Sequence, residues 1–222
     1  MCFTPAISLT TAIIEFVVAT FILIKYKKYV VPVFFAVLIY VLGIYQFTEF
    51  MLCTSSNAFL WAKLGFITYT FLPAIALHFV LRLAKNRKHN WLVYIPPLFF
   101  SIWAAIKTDF IAHVSCSQLF VTSQKAILFP GYSLYYSGFI LATIIIAFIL
   151  VRKEKDKTTK QLAMLLGSAT IIIVALPILL ISILPSLKIQ FASVYCEFAL
   201  LYTIIALIGS RIYSKRKKKE VF

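Results

Sequence analysis

The chain has 222 residues, of which 62% are hydrophobic and 13% are charged, and its formal net charge is +15. Soluble domains are about half apolar and about a quarter charged, so this composition excludes a soluble globular protein and indicates an integral membrane protein. The positive charge does not indicate nucleic-acid binding, because the bases form short runs between apolar segments and not a basic face on a soluble fold.

Seven segments are apolar enough to predict membrane-spanning helices, since a helical span needs about 20 mostly apolar residues. In chain order, the predicted spans cover residues 6–25, 30–52, 58–82, 91–106, 131–151, 161–184 and 190–212. The first span lacks a positive leader and a small-residue cleavage site, so we expect it to be retained. Pro73 in the third span and Pro177 in the sixth are expected to kink their helices. The predicted fold is all-α, a single seven-helix membrane domain over residues 1–222.

The basic residues predict the orientation of this bundle. Runs of bases follow the first, third, fifth and seventh spans and contain eighteen of the 22 lysines and arginines. The other side carries only Lys63, Lys107, Lys125 and Lys188. Cytoplasmic loops are enriched in Lys and Arg, so we expect the N-terminus outside, the C-terminus in the cytoplasm and a multi-pass location in the cell membrane. The tail from Ser214 to Phe222 is expected to be too short to fold into any structure and to contact anionic lipid.

Three of the seven acidic residues fall inside predicted spans, where a carboxylate facing lipid is costly and marks a candidate functional site. These are Glu15 in the first span, Glu49 in the second and Glu197 in the seventh. At about 1.5 Å of rise per residue, they lie roughly 14, 6 and 10 Å below the outer ends of their spans. We therefore expect them to meet in a polar pocket in the outer half of the bundle. The alternative is that each acid separately bonds a neighbouring helix.

Other side chains extend this predicted ligand site. Tyr45 and Gln46 share a helix face with Glu49, and Lys63 is the nearest cation, expected to pair with Glu49 and keep it charged. Trp61 and Tyr69 are candidate walls. The predicted ligand-binding residues are Glu15, Gln46, Glu49, Trp61, Lys63, Tyr69 and Glu197. The sequence predicts no catalytic residue and no metal site, and it leaves any cofactor unknown.

The cysteines and the tyrosines near span ends give further predictions. Cys53 and Cys116 fall on the outer, oxidising side of the predicted topology and are the predicted pair for a disulfide between two outer loops. Unpaired buried thiols are an equal alternative. Tyr132, Tyr135 and Tyr136 lie near the start of the fifth span, as expected for an interfacial aromatic belt.

Missing motifs narrow the functional classes. The seventh span has no lysine for a retinal Schiff base, and the DRY and NPxxY motifs of animal G-protein-coupled receptors are absent. No G-x-S-x-G or other nucleophile motif is present. An enzyme is therefore the less favoured class.

The third span and its flanks read FLWAKLGFITYTFLPAIALHFVLRLAKNRK, from Phe59 to Lys88. With its W-x-K-L start, its mid-helix proline and its aromatic-rich end, this segment resembles the seven-helix sensor region at the N-terminus of certain membrane histidine kinases and diguanylate cyclases. The segments FPGYSLYYSGFILA and KTTKQLAMLLGSATIIIVALPILL are similar to that family's entries to its fifth and sixth helices. The resemblance implies a seven-helix sensor fold and supplies no catalytic residue.

The N-terminal MCFTPAIS and the later YQFTEF give a weaker resemblance. They are similar to an uncharacterised group of bacterial membrane proteins that begin with an MCFSP-like sequence and carry Gln-x-x-Glu in the second helix. Gln46 and Glu49 match that pair here. This group supplies no activity that could be transferred.

The leading interpretation is a stand-alone receptor or sensor that binds a small ligand in the outer polar pocket. Because no kinase domain follows the seventh span, we expect a separate cytoplasmic or membrane partner to carry the signal. The alternative is a small-molecule or proton-coupled transporter that uses the same carboxylates as relay groups. An intramembrane lipid-modifying enzyme is third. The expected partners are the lipid bilayer, a small ligand and a signalling protein, and no nucleic acid.

Overall fold

The structure, a computed structural model, describes residues 5–85, 90–116, 121–125, 130–172 and 191–219. Its helices are α1 (Pro5–Tyr26), α2 (Val30–Thr54), α3 (Ala58–Thr70), α4 (Leu72–Leu83), a 3₁₀ helix (Asn90–Tyr94), α5 (Ile95–Ile106), α6 (Pro130–Lys153), α7 (Lys157–Thr170) and α8 (Phe191–Lys219). Two short strands, β1 (Ile111–Cys116) and β2 (Val121–Lys125), pair antiparallel. The described chain is therefore helical apart from one hairpin.

Four described segments are long and apolar enough to cross a membrane, with α3 and α4 counted together: Pro5–Tyr26, Val30–Thr54, Ala58–Leu83 and Pro130–Lys153. They coincide within a few residues with the first, second, third and fifth predicted spans, and they confirm a helical membrane protein. Asn90–Ile106 is a shorter apolar helix at the fourth predicted span. The helices α7 and α8 overlap the sixth and seventh, and Pro177 lies outside the described residues.

The third predicted span is broken at Phe71, between α3 and α4. Pro73 has no backbone N–H to donate to the carbonyl four residues earlier, and the Phe71 amide instead donates to the carbonyls of Thr68 and Tyr69. Proline is favourable in the first turn of a helix, and Pro73 occupies that position in α4. The expected kink at Pro73 is confirmed, and it leaves Thr70 at the end of α3.

The helices pack around α2, which contacts α1, α3, α4 and α8. The helix α6 contacts α4 and α7, and α7 contacts α8. Some of these contacts depend on glycine: at Gly209 of α8, an added Cβ would lie 2.6 Å from a ring atom of Phe35 on α2. Phe35 is fully buried and packs edge-on against Phe79 of α4, with ring centroids 4.8 Å apart. Both rings belong to the main core, which also contains buried residues of α1, α6, α7 and α8, and a second buried cluster joins the end of α2 to α3, α5 and β1.

The basic segments meet at one end of the bundle, which we call the basic end. The turn between α1 and α2 lies beside the last part of α8. Lys85, just after α4, pairs with Glu154 in the α6–α7 linker, with 3.5 Å between the nitrogen and the oxygen. Asp156 in the same linker pairs with Arg216 of α8. The described parts of the four basic segments predicted to share one face are thus in contact with one another.

The C-terminal tail differs from the prediction. The helix α8 continues to Lys219, so the expectation that the chain from Ser214 onward does not fold is wrong for residues 214–219. Extending an existing helix costs far less than starting one, and Lys and Arg are good helix formers. The ion pair of Arg216 with Asp156 also ties this last part of α8 to the linker.

The hairpin was not expected either. Its strand β1 contacts α2 and α3, and β2 contacts α8. Ile111 of β1 packs in one cluster with Leu52 at the end of α2, which places the hairpin at the end of the bundle opposite the basic end. A two-stranded hairpin is at best marginally stable alone. Its formation here depends on packing against helices distant in the chain, which a local sequence pattern does not reveal.

Candidate functional site

Glu15 of α1 and Glu49 of α2 lie together at the interface of these two helices. Glu15 is 0% exposed and Glu49 is 6% exposed, and their carboxyl groups are close enough to interact electrostatically. The helices approach closely there because α2 has a glycine: a Cβ added at Gly43 would lie 3.3 Å from the Glu15 Cβ. Two of the three intramembrane acids predicted as ligand residues are therefore neighbours.

Polar groups surround Glu49. The Ser8 hydroxyl donates to Glu49 Oε2 at 3.5 Å, the Tyr45 side chain also hydrogen-bonds the carboxyl group, and Gln46 is fully buried one turn earlier. We call Ser8, Glu15, Tyr45, Gln46 and Glu49 the acid cluster. Neither carboxyl oxygen of Glu15 has a hydrogen-bond partner among the described residues. Since an isolated buried charge is very costly, Glu15 is a group that a bound proton or ligand would satisfy.

Lys63 contacts a different group from the one expected. Its ammonium donates to the backbone carbonyl of Lys107, the residue that caps the end of α5, in place of the predicted ion pair with Glu49. The last carbonyls of a helix lack intrahelical partners and carry partial negative charge. They therefore attract a nearby lysine without requiring it to enter the bundle.

Among the described side chains of the remaining predicted ligand residues, only Tyr69 is seen to contact the acid cluster. Tyr69 packs edge-on against Tyr45, with ring centroids 5.7 Å apart, and so touches the acid cluster. Trp61 packs against Phe47 at 5.8 Å. The side chain of Glu197 lies outside the described residues. The site that was predicted as one pocket is thus described only in part.

Cys53, in the last turn of α2, is disulfide-bonded. Cys116 ends β1, and β1 contacts α2, which suits the predicted pairing. The side chain of Cys116 lies outside the described residues, so the Cys53–Cys116 bond stays a prediction.

A group of buried and half-buried tyrosines, which the sequence did not predict, lies at the break between α3 and α4. Tyr135 is 7% exposed and its hydroxyl donates to the Thr70 carbonyl at 2.6 Å. The hydroxyls of Tyr132 and Thr70 lie 3.2 Å apart, and the Tyr136 ring packs on Tyr69. The hydroxyls and rings of these tyrosines contact α3, and the interfacial belt expected for them stays a prediction. Their i, i+3, i+4 spacing, which puts all three on one helix face, was the available signal.

A cavity of about 60 Å³ lies between α2, α4, α6, α7 and α8. We call it the five-helix cavity. Its walls are mainly Leu, Ile and Ala, and the lining residues also include Tyr136, Thr143, Thr170 and Tyr202. A water site needs roughly 10–15 Å³, so there is room for several non-hydrogen atoms. The lining includes none of the predicted ligand residues.

The hydroxyl groups of the residues that line the cavity differ in their hydrogen bonds. Those of Thr143 and Thr170 each donate to a carbonyl one turn earlier in their own helix, both at 2.8 Å. Tyr202 is 7% exposed, and its hydroxyl is buried without a hydrogen-bond partner among the described residues. Leaving a buried hydroxyl unsatisfied costs about 1–3 kcal/mol. A polar atom bound in the cavity would recover that cost.

Comparisons with known protein families, with curated proteins and with solved structures find no match for this chain. The resemblances to kinase sensor regions and to the second bacterial group therefore stay predictions.

Proposed function

We propose that this protein is a receptor-like membrane protein that binds a small, largely apolar ligand in the five-helix cavity and signals through a separate partner. The observation that carries the proposal is Tyr202, which lines the cavity and whose hydroxyl is buried without a hydrogen-bond partner among the described residues. A ligand with one hydrogen-bonding atom would satisfy this hydroxyl, while its apolar part would contact the Leu, Ile and Ala walls. Small-ligand sites commonly combine apolar walls with a few such polar groups.

The proposed topology has seven crossings with the basic end in the cytoplasm. It is supported by the contacts among the four basic segments, because Lys and Arg are concentrated in cytoplasmic loops. The helices α7 and α8 would supply the sixth and seventh crossings. The segment Asn90–Ile106 would supply the fourth, at the lower limit of about 17 residues for a helical span.

The break at Pro73 offers a route from ligand binding to a change of shape. Pro73 and Tyr136 both border the cavity, and Tyr135 on the same helix as Tyr136 holds the end of α3 through the Thr70 carbonyl. A ligand that fits one arrangement of α4 and α6 better than another would shift the population towards it. Packed helices adopt discrete arrangements, so such a shift would be a switch.

Ligand retention tests the proposal. The protein would be extracted with its surrounding membrane, washed and denatured, and the released small molecules identified by mass spectrometry. Ala169 is buried and lines the cavity, so Ala169→Leu fills it; Ala105→Leu, at an exposed position of α5, is the matched control.

We expect one compound to be released from wild type and from Ala105→Leu in similar amounts and to be lost from Ala169→Leu. Thermal unfolding of Ala169→Leu should remain cooperative, which separates loss of ligand from loss of fold. Equal recovery of the compound from the filled variant would refute the cavity as the binding site.

A proton-coupled transporter is the second candidate, and the pairing of Glu15 with Glu49 favours it. Two buried carboxyl groups that share one environment can hold one proton between them, and intramembrane acids of this kind form proton relays in transporters. Transport would appear as substrate flux in proteoliposomes that follows a pH gradient and is lost in Glu15→Gln. A receptor would bind its ligand without flux.

A further inference from the structure

A second cavity, of about 370 Å³, lies at the basic end between the α1–α2 turn and the last part of α8. We call it the basic cavity. Its lining contains four cations: Lys25, Lys28, Arg211 and Lys215. At about 1.5 Å of rise per residue, Arg211 lies roughly 14 Å along α8 from Tyr202. The basic cavity is therefore separate from the five-helix cavity and does not depend on the function proposed for it.

The four lining cations have no carboxylate partner among the described residues. The two described acids at this end are used elsewhere, Glu154 by Lys85 and Asp156 by Arg216. Lys25 and Lys28 instead lie over aromatic rings, with Lys28 Nζ 5.1 Å from the centroid of Tyr29. Several like charges around one cavity repel one another unless an anion occupies it.

The chemistry of the lining matches a phosphate group. Arg211 can bind a phosphate through two parallel hydrogen bonds, and lysine ammonium groups bind it as point charges. Tyr26 and Tyr29 also border the cavity, and tyrosines concentrate at the depth of lipid headgroups. The volume lies within the range of about 300–1,000 Å³ that is usual for small-ligand sites.

We propose that the basic cavity binds the phosphate-bearing headgroup of an anionic lipid that carries at least two negative charges. A headgroup with a single charge would leave most of the lining cations uncompensated. A bound headgroup would bridge the α1–α2 turn and α8, which form the two sides of the cavity. Basic pockets between membrane helices on the cytoplasmic side are known to select such lipids.

Lipid binding to defined discs tests the proposal. The full-length protein would be placed in discs of phosphatidylcholine alone and in discs that also contain cardiolipin, which has two phosphates. Retained cardiolipin would be counted by native mass spectrometry and its effect on thermal unfolding measured. Inorganic pyrophosphate added to the phosphatidylcholine discs is the soluble source of the same chemistry.

The test variant is Lys28→Gln with Arg211→Gln, and the control is Lys153→Gln with Lys155→Gln, two exposed bases at the same end that do not line the cavity. Both variants lose two charges. A base that contacts the headgroup phosphate loses its hydrogen bonds to it on substitution, whereas a base outside the cavity contributes only to the general attraction of the leaflet. We therefore expect a loss of cardiolipin affinity that is at least tenfold larger in the test variant than in the control. Unchanged helix content by circular dichroism would show that the test variant folds.

Three outcomes would overturn the proposal. Equal losses in both variants would mean that cardiolipin binds the general positive surface. Stabilisation by pyrophosphate as large as that by cardiolipin would assign the cavity to soluble phosphate compounds. Full cardiolipin binding by the folded test variant would exclude the cavity altogether.

Discussion

Tyr202 and Tyr135 allow one substitution to be compared at two sites of equal burial, since each is 7% exposed. The Tyr135 hydroxyl donates to the Thr70 carbonyl at 2.6 Å, whereas the Tyr202 hydroxyl has no partner among the described residues. Replacing either tyrosine by phenylalanine removes one oxygen and keeps the ring. The two variants therefore isolate the contribution of a satisfied hydroxyl and of an unsatisfied one.

The expected changes in unfolding free energy have opposite signs. Tyr135→Phe removes a hydrogen bond, which is expected to cost about 0.5–1.5 kcal/mol. Tyr202→Phe removes a buried group that costs about 1–3 kcal/mol while it lacks a partner, so the ligand-free protein should gain stability of about that order. A difference of roughly 3 kcal/mol between the variants follows. With ligand bound to the Tyr202 hydroxyl, Tyr202→Phe should instead lose both ligand and stability.

Reversible unfolding in mixed micelles, followed by circular dichroism, would measure both variants before and after the protein is stripped of small molecules by washing. We expect washing to reverse the order of unfolding free energy between Tyr202→Phe and wild type. Tyr135→Phe should be less stable than wild type both before and after washing. If stripped Tyr202→Phe is destabilised as much as Tyr135→Phe, the Tyr202 hydroxyl is already satisfied within the protein. The Tyr202 hydroxyl would then not be available to hydrogen-bond a ligand in the five-helix cavity.

Three further predictions concern packing, acid sensitivity and the disulfide. Gly209→Ala should lower the unfolding free energy by about 1–3 kcal/mol through overpacking, because the new Cβ would lie 2.6 Å from an aromatic ring of α2. Gly138→Ala is the control, because a Cβ added there meets no neighbouring group within 4 Å. This variant should be neutral or more stable by up to about 1 kcal/mol. Burial alone would raise the pKa of Asp156, but hydrogen bonds from α7 and the guanidinium of α8 lower it below its ordinary value of 3.8. The ionised Asp156 therefore contributes its full stabilisation above about pH 4, and this is lost as the pH falls through the lowered pKa. Asp156→Asn keeps a good helix N-cap but cannot ionise, so the fall in Tm at acid pH should be smaller by the contribution of Asp156. Cys116→Ser should make Cys53 react with a membrane-impermeant alkylating agent without reductant, and continued protection of Cys53 would assign the bond to another cysteine.

The sequence was informative where the cause of the structure is local. Long apolar runs predict helices because the bilayer requires every backbone group to be paired within a span, and the observed helices coincide with most of those runs. Pro73 predicted a break for a similarly local reason, its missing N–H. Glu15 and Glu49 lie on consecutive helices, so their meeting needs only that a short turn bring α1 back along α2.

The rest depends on contacts between distant parts of the chain. The five-helix cavity is a gap left by the packing of five helices, and no pattern in any one of them marks it. Tyr202 resembles any other tyrosine in an apolar span, and only the packing shows that its hydroxyl has no partner among the described residues. Lys63 was expected to pair with Glu49, and the sequence contains no information on how close the end of α5 comes to it.

The uninterrupted course of α8 has a mechanical consequence. Gly209 is held against Phe35 by a contact with no room for a side chain, Tyr202 lies seven residues before this point and Arg216 seven residues after it. If α8 pivots as a rigid helix at this contact, the segments on its two sides are equal in length, at roughly 10 Å each. A lateral displacement of α8 at Tyr202 would therefore produce a displacement of the same size and the opposite direction at Arg216. That displacement would strain or relieve the ion pair with Asp156.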